Sequence, residues 1–187
     1  VSQGNLNIAA QELDNGDGVL LAERKLTVQA NAVTNAEDGL LVAGTDADIL
    51  LSGGLNNAGR IQAGQDLSVH SGSGELVNSG SLGAGADVQL TAAQIRNDEG
   101  VMLSGGDLQL TGEEIINRRG DMLSLGSVLI TTQEQNGVGG RFSNLSGTIE
   151  SVGDLQIEAA QIENAREDFA TRTYKYSARL VHVGCTD

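Results

Sequence analysis

One phrase recurs along this chain about every 20 residues, and that period limits the architecture more tightly than any other feature. Its clearest copy is Asp107-Leu108-Gln109-Leu110. The first apolar position is filled by Leu6, Leu26, Ile49, Leu67, Val88, Leu108, Val128 and Leu155. The second, two residues on, is filled by Ile8, Val28, Leu51, Val69, Leu90, Leu110, Ile130 and Ile157. Successive copies lie 20, 23, 18, 21, 20, 20 and 27 residues apart. Eight copies at so narrow a spacing describe one structural unit used again and again.

Two further phrases fill each period. In the first, an apolar residue is followed two positions later by asparagine: Leu13/Asn15, Val33/Asn35, Leu55/Asn57, Leu76/Asn78, Ile95/Asn97, Ile115/Asn117, Phe142/Asn144 and Ile162/Asn164. A glycine comes two to four residues after the asparagine in all but the last copy. Then an apolar and a small residue alternate, as in Leu41/Ala43, Ile61/Ala63, Met102/Ser104 and Met122/Ser124. The alternation has period two, which puts apolar side chains on one face of a strand and residues such as Thr27, Gln89 and Gln109 on the other. Apolar residues at i, i+3, i+4 and i+7, the signature of an amphipathic helix, do not recur. Three short strands per period, separated by Asn and Gly corners, predict one coil of a parallel β-helix. With coils about 4.8 Å apart, eight of them make a rod roughly 40 Å long.

The uniform asparagines fit a ladder along the rod axis. A stacked amide both donates and accepts, so it satisfies corner groups that would otherwise be buried without partners. Aspartate lacks the donor and would stack like charges. A preference of asparagine for turns explains one or two copies, but poorly explains eight in register: Asn15, Asn35, Asn57, Asn78, Asn97, Asn117, Asn144 and Asn164.

The period reads G-x-D-L-x-L-x-A, then apolar-x-N, then G-x-apolar-x-A, with clear copies at Gly64-Gln65-Asp66-Leu67, Gly85-Ala86-Asp87-Val88 and Gly105-Gly106-Asp107-Leu108. Over about residues 4 to 164 it resembles the filamentous haemagglutinin repeats of two-partner-secretion exoproteins, which include adhesins and contact-dependent growth inhibition effectors. That resemblance implies a right-handed parallel β-helix of about eight rungs. It also implies export through an outer-membrane secretion partner to the cell surface or the medium. The implied role is a structural or adhesive stalk projecting a distal binding or toxin module, with a host- or bacterial-cell receptor as the partner.

Composition agrees with a narrow, regular interior. There is no Trp and no Pro, aromatics make up 2%, and Gly reaches 26, so Leu, Ile, Val, Ala and Met must fill the core and glycine must shape the turns. The net charge of -14 opposes nucleic acid and anionic lipid. No apolar run approaches the roughly 18 residues that membrane insertion needs. The lone cysteine, Cys185, rules out a disulfide framework or a C-x-x-C site. Beginning within the pattern at Val1, the chain reads as a piece of something longer.

Two places break the rhythm. The 27-residue step holds a polar, glycine-rich insertion from Gln133 to Gly140, which suits either a tolerated surface bulge or a ligand-binding loop through Gln133, Gln135 and Asn136. From residue 165 to 187 the composition shifts: Phe169, Tyr174 and Tyr176 are three of the four aromatics, and Arg166, Arg172, Lys175 and Arg179 are four of the eleven basic residues. Residues 1–164 therefore form the repeat region. Residues 165–187 are a cap or the start of a following module, with Phe169, Arg172, Tyr174 and Tyr176 as candidate ligand contacts.

Catalytic chemistry finds little support. Asp48, Asp66, Asp87, Asp107 and Asp154 occupy equivalent places in the repeat, a row that could be read as a calcium site or as polysaccharide-cleaving carboxylates. The calcium nonapeptide G-G-x-G-x-D is absent, and catalytic groups are rarely repeated in every rung. Neither His70 nor His182 has a partner set, and nucleophile-elbow, dinucleotide and Walker motifs are missing. The expectation is no enzyme, no metal and no cofactor, with a polysaccharide-acting enzyme as a distant alternative.

Overall fold

A computed structural model describes residues 1–133 and 140–167, and every described element is a strand or a turn. The chain forms a parallel β-solenoid of about eight turns. Rung six shows the plan: Leu108–Gly112, Glu114–Arg118 and Asp121–Ser124 are its three strands, joined at tight corners. Each strand pairs in parallel with its counterparts one rung before and one rung after. The third strands stack into a seven-stranded sheet. The first and second strands join into a larger sheet, because in rungs four and five they run together as Leu67–Asn78 and Val88–Asp98.

Why these residues form these strands follows from what faces inward. Leu26, Leu67, Val88, Leu108 and Val128 stack as one buried column, and Val28, Ile49, Val69, Leu90, Leu110 and Ile130 as the next. Val33, Leu55, Leu76, Ile95, Ile115 and Phe142 line the second side, and Leu41, Ile61, Leu82, Met102 and Met122 the third. Burying each such side chain stabilises by about 1.5–3 kcal/mol. The small column beside Met102 and Met122 changes from Ala22, Ala43, Ala63 and Ala84 to Ser104 and Ser124. The Ser104 hydroxyl reaches the Ala86 and Asp107 carbonyls, each at 2.7 Å, so the added polar group stays partnered.

The third rung departs from the sequence reading. Ala47, not Ile49, stands between Leu26 and Leu67, while Ile49 pairs with Val28 and Val69. The steps there are 21 and 20 residues, not 23 and 18. Asp48-Ile49-Leu50-Leu51 imitates the repeating phrase two residues late. A slip of one residue would turn every side chain to the wrong face, but a slip of two leaves each on its own, so alternation cannot detect it. Backbone bonds set the true register: the Leu26 N–H donates to the Asp46 carbonyl at 3.0 Å, and the Ala47 N–H to the Asp66 carbonyl at 2.9 Å.

Candidate functional site

The most ordered polar feature of the solenoid is a chain of buried side-chain amides. Asn15 Nδ2 donates to Asn35 Oδ1 at 2.7 Å, Asn35 to Asn57 at 2.7 Å, Asn57 to Asn78 at 2.8 Å and Asn78 to Asn97 at 2.8 Å. It continues from Asn97 to Asn117 and from Asn117 to Asn144, each at 2.9 Å, and from Asn144 to Asn164 at 3.0 Å. Second donor protons reach corner carbonyls, as from Asn97 to Gly100 and from Asn117 to Gly120, both at 3.0 Å. Asn35, Asn57, Asn78, Asn97 and Asn117 are wholly buried. In rungs five to seven the left-handed residue of this corner is not the asparagine but Glu99, Arg119 or Ser146, two positions on, with φ of 59°, 52° and 55°. The asparagine is therefore held by its amide bonds and not by the turn conformation.

In rungs five to seven the glycine three residues after the asparagine, Gly100, Gly120 or Gly147, makes room for this chain. A Cβ on Gly120 would lie 2.3 Å from Asn97 Nδ2 and 2.8 Å from Asn117 Oδ1, closer than real atoms approach. Packing alone demands glycine there.

The aspartate row differs from its reading in the sequence. Corner residues preceding the first strand are Asp46, Asp66, Asp87, Asp107, Ser127 and Asp154, so Asp46 takes the place assigned to Asp48. Asp48 sits on the outer face and pairs with Lys25, whose ammonium is raised above its ordinary pKa by that hydrogen bond and by the carboxylate's charge. Asp66, Asp87 and Asp107 use Oδ1 to accept the backbone N–H of Asp87 (3.1 Å), Asp107 (2.8 Å) and Ser127 (2.7 Å). These carboxylates cap the next rung's corner, which gives the row a structural purpose. Among the described residues no group of three or more His, Cys, Asp or Glu side chains could hold a metal ion.

The outer face carries an ion-pair line that the sequence reading missed. Arg96 lies 3.7 Å from Glu75 and 2.9 Å from Asp98, and Asp98 lies 2.9 Å from Arg118 on the next rung. Arg118 is raised above its ordinary pKa by that hydrogen bond and charge. Arg119 similarly meets Glu99 at 3.2 Å. The signal was available, since residues one period apart place Asp98 opposite Arg118 and Glu99 opposite Arg119. All are partly or fully exposed, so each pair contributes at most about 1 kcal/mol.

Gln133 follows the strand Val128–Thr132, is exposed, and its N–H donates to the Gly112 carbonyl at 2.7 Å. The insertion leaves the corner between the first and second strands, where rung six uses Glu113 alone. Gln135, Asn136, Phe169, Arg172, Tyr174 and Tyr176 lie outside the described residues.

A solenoid with one repeated rung, an amide chain at one corner and capping carboxylates at another calls for comparison with repeat families. The model of the haemagglutinin repeat matches residues 1–59, 22–75, 60–136 and 126–174. The chain belongs to the haemagglutinin repeat family. Comparison with curated proteins gave no match, and comparison with solved structures gave none either. Haemagglutinin repeats are a non-enzymatic, adhesin-type module, found typically in secreted or surface-exposed proteins and associated with two-partner secretion.

Proposed function

We propose that this segment is a stalk of a large exoprotein. It is exported through an outer-membrane partner and holds a distal binding or toxin module away from the cell. The observation that carries this reading is the continuous rung-to-rung pairing, which shifts register locally between Ser71 and Glu75 in rungs four and five. Three ladders and the amide chain tie each described rung to the next, which resists bending of the rod. A rod of this kind transmits force along its axis through bonds loaded together. Its charge of -14 keeps neighbouring rods apart, which suits display at high density.

The test is a binding assay of the purified chain against host cells, bacterial cells and glycans. A passive stalk shows no saturable binding to any of them. Saturable binding refutes that role and assigns recognition to this segment itself.

A further inference from the structure

The outer face of the seven-stranded sheet holds a glycine that packing does not require. Gly83 stands in an outward column with Leu21, Val42, Gln62, Leu103 and Leu123, all of which carry large side chains. Corner glycines have a steric reason: a Cβ on Gly64, Gly85 or Gly105 would lie 2.1, 2.3 or 2.1 Å from a carbonyl oxygen one rung back. A Cβ on Gly83 would meet only the Leu103 carbonyl oxygen at 3.5 Å and the Leu103 Cβ at 3.9 Å, both ordinary contacts. Glycine inside a strand weakens it, and often marks a place where a ligand or another backbone comes close. Here it floors a recess of about 480 Å³ with Arg60, Gln62, Ser81 and Leu103 around it.

Charge at the rim points to what the recess takes. Arg60 has Leu40 and Ser81 as its register neighbours, and among the described residues it has no carboxylate partner, whereas Lys25, Arg96, Arg118 and Arg141 each have one. In a chain of net charge -14, a guanidinium left without an internal acid is open to one from outside. Apolar side chains flank it along the rod axis: Leu40 and Val42 one rung before, Val101 and Leu103 two rungs after. Leu103 is 45% exposed.

We infer that this face binds an extended peptide of the order apolar-x-acid-x-apolar, laid along the rod axis. Val42 and Leu103 are three rungs apart, about 14 Å, and the first and fifth residues of an extended strand are separated by about the same distance. The middle residue then falls over Arg60 and Gly83. Its carboxylate takes the guanidinium, its backbone enters the space that a side chain on Gly83 would fill, and Gln62 and Ser81 lie beside its peptide groups. The two apolar residues cover Val42 and Leu103. The inference goes beyond the stalk reading: the rod clasps a segment of protein along its side.

NMR titration of the full chain tests this, with an end-blocked pentapeptide of leucine, serine, glutamate, serine and leucine as the probe. The expected result is a saturable shift of the Gln62, Gly83 and Leu103 amides, while those of Leu108 and Leu110 stay still. Glutamine in place of the peptide's glutamate should weaken binding on the order of tenfold, the worth of a charge-assisted hydrogen bond. Arg60→Gln should weaken the glutamate peptide equally and leave the glutamine peptide unaffected. Gly83→Leu should abolish binding with the rod intact, since Leu103 and Leu123 already stand in the same column. No saturable shift, equal binding of the two peptides, or binding that survives Gly83→Leu overturns the inference. Glucuronic acid binding at Gly83 as tightly as the peptide overturns it in favour of an acidic glycan.

Discussion

Asn97 is the sharpest place to test what the amide chain contributes. Its Oδ1 accepts from Asn78 at 2.8 Å, and its Nδ2 donates to Asn117 Oδ1 at 2.9 Å and to the Gly100 carbonyl at 3.0 Å, all out of contact with water. Asn97→Ala leaves the Asn78 amide a fallback on the Val101 carbonyl at 3.2 Å, but takes the donor from Asn117 Oδ1 and from Gly100. Gly100 keeps the Asp121 N–H at 2.9 Å, so one orphaned buried acceptor, at about 1–3 kcal/mol, plus the amide's lost packing gives an expected loss of about 2–4 kcal/mol. For a chain of this size that lowers the melting temperature by roughly 5–15 °C.

Asn97→Asp keeps the shape but sets an oxygen without a proton against two acceptors. Charge is disfavoured there, so the folded-state pKa of the new carboxyl rises above its unfolded value near 3.9. The penalty is therefore largest above the folded pKa and fades as pH falls towards the unfolded one. Thermal melts followed by circular dichroism, at pH 7.5 and at pH 3.5, fall on either side of the isoelectric point near 4.3. Relative to the unaltered chain, the aspartate variant should be the worse of the two at pH 7.5 and recover at pH 3.5. The alanine deficit should stay constant. An aspartate variant within 1 kcal/mol of the unaltered chain at pH 7.5, or a deficit independent of pH, refutes the reasoning.

Gly120→Ala should cost about 2 kcal/mol or more in urea unfolding, because the new methyl collides with two ladder amides. Gly83→Ala should cost far less, since its nearest neighbour is the Leu103 carbonyl at 3.5 Å. Leu51→Ala should destabilise by about 2–5 kcal/mol, while the same change at the adjacent Leu50, which is 51% exposed, stays within about 0.5 kcal/mol; equal effects would refute the inward placement of Leu51. The Lys25 ammonium, raised by Asp48, contributes stability that is present below its ordinary pKa and is lost as pH climbs through the raised one. An NMR titration should show Asp48→Asn lowering the Lys25 pKa, with only a small loss of stability near neutrality because the pair is exposed.

Much of this molecule was legible in its sequence because a solenoid is nearly one-dimensional. Each rung meets only its neighbours, so the alternation of Leu108 and Leu110, the asparagine every period and the glycine after it already specify strand, corner and axis. The sequence also marked the two places where the pattern breaks, at Gln133 and after Asn164. Register escaped it. A two-residue slip at Asp48-Ile49-Leu50-Leu51 preserves every face, and only the hydrogen bonds of Asp46 and Asp66 to neighbouring rungs decide for Ala47. Likewise, spacing alone cannot tell an aspartate that caps a backbone N–H from one that faces a lysine. The tertiary structure separated Asp66 from Asp48 because partners across the stack, twenty residues away in the chain, determine what each carboxylate does.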